Sequence, residues 1–164
     1  MKSFLIKKGR HRVSGFNFGF NFHDNFSKTV IFTESCRYTL PEENKLDVNR
    51  LYGFSNGDHT ENSACIGWRW NEEKGLVDLV CLMTIDQEVL SEFDYSLDLK
   101  SVPINSEVDI SIKLVKNHYI LSTTCDGETV TKQFEAEFEL PGYYLYPRFG
   151  GEMTAPQRIN IIFK

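Results

Sequence analysis

The chain has 164 residues, 41% hydrophobic and 25% charged, with a formal net charge of -5 and a pI near 5.4. That size and composition suit one globular domain spanning residues 1–164 and exclude disordered, collagen-like and fibrous classes. The acidic balance excludes a general nucleic-acid binder, whose affinity comes from a basic surface.

From the N-terminus, the apolar stretch Phe4-Leu5-Ile6 is far too short for a secretion signal, and nothing later reaches the length of a membrane span. The expectation is a soluble cytoplasmic protein, or a virion component if phage-encoded. A strand is predicted over 4–7, followed by the basic stretch Lys7, Lys8, Arg10, His11 and Arg12. The favoured reading of that stretch is a solvated turn, with a local basic patch as the alternative.

Residues 13–22 alternate at period two, with Phe16, Phe18, Phe20 and Phe22 on one side and Asn17, Gly19 and Asn21 on the other. The pattern predicts a strand with its Phe stripe in a core. Further strands are predicted at 28–33, 49–54, 63–70, 76–85, 89–99, 107–115, 119–125, 128–138, 143–149 and 158–163, with one short helical turn within 41–51. Hairpins are expected at Asn71–Gly75, at Lys116–His118 and at Asp126-Gly127, whose residue types accept positive φ. Leu76–Ile85 is apolar on both faces, which places it inside a sheet covered on both sides. About a dozen short strands imply an all-β fold, an antiparallel two-sheet sandwich rather than a closed barrel.

Three segments form a recognisable set: Ser35-Cys36-Arg37-Tyr38, Gly53-Phe54-Ser55 through Ser63-Ala64-Cys65-Ile66-Gly67-Trp68-Arg69, and Tyr146-Pro147-Arg148-Phe149-Gly150-Gly151 with Ala155-Pro156. In this order the chain resembles a group of small, uncharacterised bacterial and phage proteins over residues 35–164. The resemblance implies a jelly-roll or concanavalin A-like sandwich and brings no activity. The group's pattern has an Arg–aromatic pair where this chain has Cys65-Ile66, an aromatic in place of Arg148 and a His in place of Gln157.

Among binding residues, Trp68 and Trp70 share a strand face with Ala64 and Ile66, while Arg69 lies opposite with Gly67. An exposed Trp face would stack on sugar rings; the register with Ala64 and Ile66 favours a core face, leaving Arg69 on the open side. The loop from Tyr52 to Asn62 carries His59 with Asn56, Asp58, Glu61 and Asn62, whose oxygens are too scattered for a calcium motif, so a polar surface loop is favoured. Tyr146 and Arg148 line one face of the 143–149 segment, with Gly150-Gly151 allowing a close backbone approach.

The expected site is therefore Arg69, Trp68, Trp70, Tyr52, His59, Tyr146 and Arg148, with no catalytic residue, metal or cofactor assigned. Cys36, Cys65, Cys81 and Cys125 lack ligand spacing and read as reduced, small apolar residues. Asp78 shares a face with Leu76, Val80 and Leu82, where burial would raise its pKa. The functional expectation is a non-catalytic, lectin-like carbohydrate-binding module. A structural or interaction protein with a protein partner, self-association included, is the alternative, and a sandwich polysaccharide hydrolase or lyase comes third.

Overall fold

Alternation becomes architecture in a computed structural model that describes residues 1–15, 18–21, 25–55, 57–90, 97–135 and 142–164. One sheet runs in the order β1 (Lys2–Ile6), β13 (Ile159–Phe163), β3 (Asn25–Phe32), β9 (Glu107–Val115), β10 (His118–Cys125) and β11 (Glu128–Glu135). The other runs β2 (Phe20–Asn21), β12 (Gly142–Leu145), β4 (Asn49–Ser55), β5 (Ser63–Asn71), β6 (Leu76–Ile85) and β7 (Glu88–Val89), with β8 (Asp98–Val102) also pairing β6. The strand pairs are antiparallel. The protein is an all-β, antiparallel two-sheet sandwich, and no α-helix occurs among the described residues.

The two inner faces interlock. On β9, Val108, Ile110, Ile112 and Leu114 are buried while Glu107, Asp109 and Lys113 are exposed; Tyr119, Leu121 and Cys125 continue the buried row on β10. From the second sheet come Phe54, Ile66, Trp68, Leu79 and Met83. Trp68 is wholly enclosed, 5.4 Å from the Phe32 ring and 5.8 Å from Tyr38. Burying an indole contributes about 4 kcal/mol, enough to outweigh the ~1–3 kcal/mol cost of leaving Trp68 Nε1 without a hydrogen-bond partner. Strand β6 is apolar on both faces, as its composition implies: Val77, Leu79, Cys81 and Met83 enter the core, and Val80 is buried on the opposite side.

The turns follow their residue types. Asp126 and Gly127 take φ of 54° and 78°, the double positive φ of a tight hairpin between β10 and β11. Lys116 and Asn117 do the same between β9 and β10 at 47° and 63°. Gly75 N donates to Asn71 O at 2.9 Å and closes the β5–β6 hairpin.

Several expectations need correction. Among its described residues, the 13–22 segment contributes the two-residue strand β2 and a bridge at Val13, and Phe18 and Phe20 are 52% and 60% exposed. Phe16 and Phe22 lie outside the described residues. The reason is position: β2 is an outer strand, and Phe20 pairs with Tyr143 while the next residue, Tyr144, is the one packed against the core. Phe18 and Phe20 instead meet each other edge-to-face at 5.0 Å. The predicted 143–149 strand stops at Leu145, ahead of Pro147, and the helical turn within 41–51 is a 3-10 turn at Glu42–Asn44. The predicted 89–99 strand appears as β7 and β8, with 91–96 outside the described residues, and the 128–138 strand is described as far as Glu135.

Gly150 is what allows the chain beyond Arg148 to lie against β4. A Cβ there would stand 1.8 Å from Val48 O, and Gly150 N donates to the buried Asn49 Oδ1 at 2.8 Å. The close backbone approach read from Gly150-Gly151 is thus to a neighbouring strand.

Candidate functional site

Antiparallel register sets Arg69 of β5 directly opposite Asp78 of β6, and Asp78 directly opposite Ser101 of β8. Opposed residues share a face, so one polar row crosses three strands on the side of the sheet away from the core. The β5–β6 hairpin returns Lys74 to the same spot. Asp78 accepts hydrogen bonds from Asn71 Nδ2 at 2.8 Å and Ser101 Oγ at 2.5 Å, and Lys74 Nζ lies 3.4 Å away. Arg69 sits between two carboxylates, with Nε 3.8 Å from Asp78 Oδ2 and Nη2 3.8 Å from Asp98 Oδ1, while Nη1 donates to Leu46 O at 3.3 Å.

Arg69, Asn71, Lys74, Asp78 and Asp98 floor an open groove of about 460 Å³, with Tyr38, Leu40 and Trp70 among its walls. Tyr38 is locked by its hydroxyl, which accepts from Asn49 Nδ2 at 2.7 Å and Trp70 N at 3.2 Å. The guanidinium of Arg37 lies 5.5 Å from the centre of the half-buried Trp70 ring, close enough for a cation–π contact.

The electrostatics correct the expectation for Asp78. Burial does push its pKa up, but the hydrogen bonds from Asn71 and Ser101 and the Lys74 charge outweigh it, and the net shift is downward. Asp78 is a carboxylate at neutral pH, held as an acceptor rather than poised as an acid. Burial pushes the Tyr38 phenol up to about 12, so it stays protonated. The groove therefore presents fixed donors and acceptors beside one indole.

The seven expected residues do not converge. Arg69 and Trp70 share the groove. Trp68 faces the core with no exposed surface, which removes it as a stacking platform. Tyr52 is also buried, stacked on Phe26 at 4.3 Å, and meets Tyr146 edge-to-face at 5.4 Å; both border a separate hollow of about 290 Å³ with Phe4 and Phe163. His59 is exposed on its loop, hydrogen-bonded to Tyr143 Oη. Arg148 stands on the bridge between Arg12 and Arg50. In the 52–62 loop, Asp58 Oδ1 accepts from Thr60 N and Thr60 Oγ1, each at 2.9 Å, which makes it a turn residue. Asn56 lies outside the described residues.

Sequence reasoning missed Tyr38, Asn71, Asp98 and Ser101. Asn71 carried a signal as the first residue of the hairpin, but Tyr38 and Asp98 reach the groove, and Ser101 reaches Asp78, from elements distant in the chain. Among the described residues no three His, Cys, Asp or Glu side chains gather in a way that could hold a metal ion, and no helix is long and apolar enough to cross a membrane.

No protein-family model and no curated protein sequence matches the chain. Solved structures do. An alginate lyase from Klebsiella pneumoniae superposes with a TM-score of 0.64 at 7% identity, covering 85% of this chain and 56% of its own. The GH43B protein of a Bacteroides ovatus xyloglucan PUL gives 0.52 at 13% identity, covering 94% and 28%. A functionally unknown protein from Saccharomyces cerevisiae gives 0.50 at 11% identity, covering 96% and 78%. The chain thus spans little more than half the length of the lyase. At these identities the likeness is one of fold.

Proposed function

We propose that the protein is a non-catalytic carbohydrate-binding module whose saccharide site is the β5–β6 groove. The observation that carries this reading is the Arg69–Asp78–Asp98 cluster, held by Asn71, Ser101 and Lys74 beside the half-buried Trp70. A pyranose offers hydroxyls on its rim and an apolar C–H face. A rigid set of donors and acceptors next to an indole complements both. The lowered pKa of Asp78 supports binding over hydrolysis, because a glycosidase acid needs a carboxyl kept protonated. The carbohydrate-related names of two fold neighbours, the alginate lyase and the xyloglucan-PUL protein, agree with the reading.

The test is titration with a panel of neutral and acidic oligosaccharides, followed by Trp fluorescence. Trp70 lines the groove and Trp68 is shielded, so ligand should change the emission of Trp70 alone. Trp70→Phe should abolish the change and Asp98→Asn should weaken binding at least tenfold. Binding that survives both variants, or no binding across the panel at millimolar concentration, rejects the proposal.

One observation favours a second reading, an interaction protein. Phe18 and Phe20 are more than half exposed, and Phe18 stacks on Tyr143 at 6.4 Å, forming an aromatic edge suited to a protein partner. Light scattering of the wild type against Phe20→Ser tests it: self-association lost in the variant would support this edge.

A further inference from the structure

Three arginines stand abreast at the junction of the N-terminal segment with β4. Arg148 bridges antiparallel to Arg50 on one side and to Arg12 on the other. Arg50 and Arg148 exchange both backbone hydrogen bonds, each 2.9 Å. Directly opposed residues project from the same face, so the three side chains leave one face of the sheet, Arg50 with its Nε donating to Tyr146 O at 2.9 Å. Arg12 and Arg148 line an open cavity of about 480 Å³ together with Lys7, Arg10 and His11.

Like charges directly opposite one another destabilise a sheet. This chain has 23 Asp and Glu with which to neutralise them, yet among the described residues none lies within ion-pair distance of Lys7, Arg10, Arg12, Arg50 or Arg148. The cluster is also held in place. Phe149 N donates to His11 O at 2.8 Å, His11 Nδ1 donates to Phe149 O at 3.0 Å, Ala155 N donates to Arg10 O at 3.1 Å and Gly9 N to Ala155 O at 2.9 Å. Partial burial, reinforced by the Arg50 and Arg12 charges, lowers the Arg148 pKa, as expected of cations gathered without a counter-charge. Guanidinium forks match tetrahedral oxyanions through paired N–H donors.

We propose that the Arg12–Arg148–Arg50 row and the cavity beside it form a binding site for a tetrahedral oxyanion, carried as a phosphate or sulfate ester on a small molecule. The site is separate from the β5–β6 groove and does not depend on what that groove binds. The bound oxyanion supplies the negative charge that the arginines lack.

The test is thermal unfolding of the full chain in sodium phosphate and sodium sulfate against sodium chloride at matched ionic strength, with calorimetric titration alongside. At a free oxyanion concentration about twenty times Kd, Tm should rise by ~4–7 °C over chloride. Arg148→Gln and Arg12→Gln should each remove more than half of that rise. In low-salt chloride each should melt no lower than wild type, because one repelling charge has gone. Lys8→Gln makes the same change in net charge outside the cavity and should keep the full rise. Glucose 6-phosphate and glucose 6-sulfate distinguish the sources: the one with the larger shift identifies the ester. Equal Tm in all three salts at matched ionic strength overturns the proposal. So does a rise unchanged in Arg148→Gln, or one lost equally in Lys8→Gln.

Discussion

Arg69→Met asks whether the buried guanidinium at the groove floor holds the sheet together. The side chain is 7% exposed and reaches Asp78, itself 6% exposed, and Asp98, 41% exposed, each at 3.8 Å. At an effective dielectric near 20, the Coulomb attraction at that distance is about 4 kcal/mol per pair, and most of it repays desolvation of the charges. Removing one partner of a buried pair costs about 3–5 kcal/mol when the other charge is orphaned. Asp78 is not orphaned, because Asn71, Ser101 and Lys74 remain. Met also replaces the aliphatic stem. What goes is the charge attraction and the hydrogen bond to Leu46 O, together about 2 kcal/mol. For a domain of this size, that lowers Tm by ~4–8 °C at neutral pH.

The pH dependence has a definite sign. Asp78 has a folded-state pKa below its ordinary 3.8. Its stabilisation is fully present above that ordinary value and disappears as pH falls through the folded one. The gap between wild type and Arg69→Met, followed by differential scanning calorimetry from pH 7 to pH 2.5, should therefore narrow below 3.8. An unchanged Tm at neutral pH would show that Arg69 contributes nothing net to the sheet. A gap that widens in acid would refute the pairing with Asp78.

Thr123→Val should raise stability by ~0.5–1.5 kcal/mol in urea unfolding, because Thr123 Oγ1 is fully enclosed without a hydrogen-bond partner; a loss of stability would reveal an acceptor. All four cysteines are buried, and burial pushes the thiols of Cys36 and Cys81 up to about 12 and Cys65 to about 11. Thiol titration with a disulfide reagent at pH 8 should thus be slow in the native protein and fast in denaturant, and rapid native labelling of Cys36 would contradict its enclosure.

Fold class was legible because strand periodicity is local: each residue on β9 reveals its side by its neighbours alone. Val108, Ile110 and Ile112 needed no partner to be recognised as inward. The Phe stripe at 16–22 shows the limit of the same rule. Period two states that Phe18 and Phe20 share a side, but which side is buried depends on whether another layer covers it, and at an outer strand the core side belongs to Tyr144. Trp68 and Arg69 were correctly put on opposite faces for the local reason. That Arg69 would find Asp78 and Asp98 was not visible, since it required the register of β5 with β6 and of β6 with β8.

Alone, the string of residues determined a two-layer β protein, its tight turns at Asp126-Gly127 and Asn71–Gly75, and the double-faced character of β6. Those features follow from steric preferences and alternation over a few residues. Only the tertiary structure decided that Arg12, Arg50 and Arg148 stand together and that Tyr38 walls the same groove as Asp98. Such meetings depend on strand order and register between segments far apart in the chain, which no short-range pattern encodes.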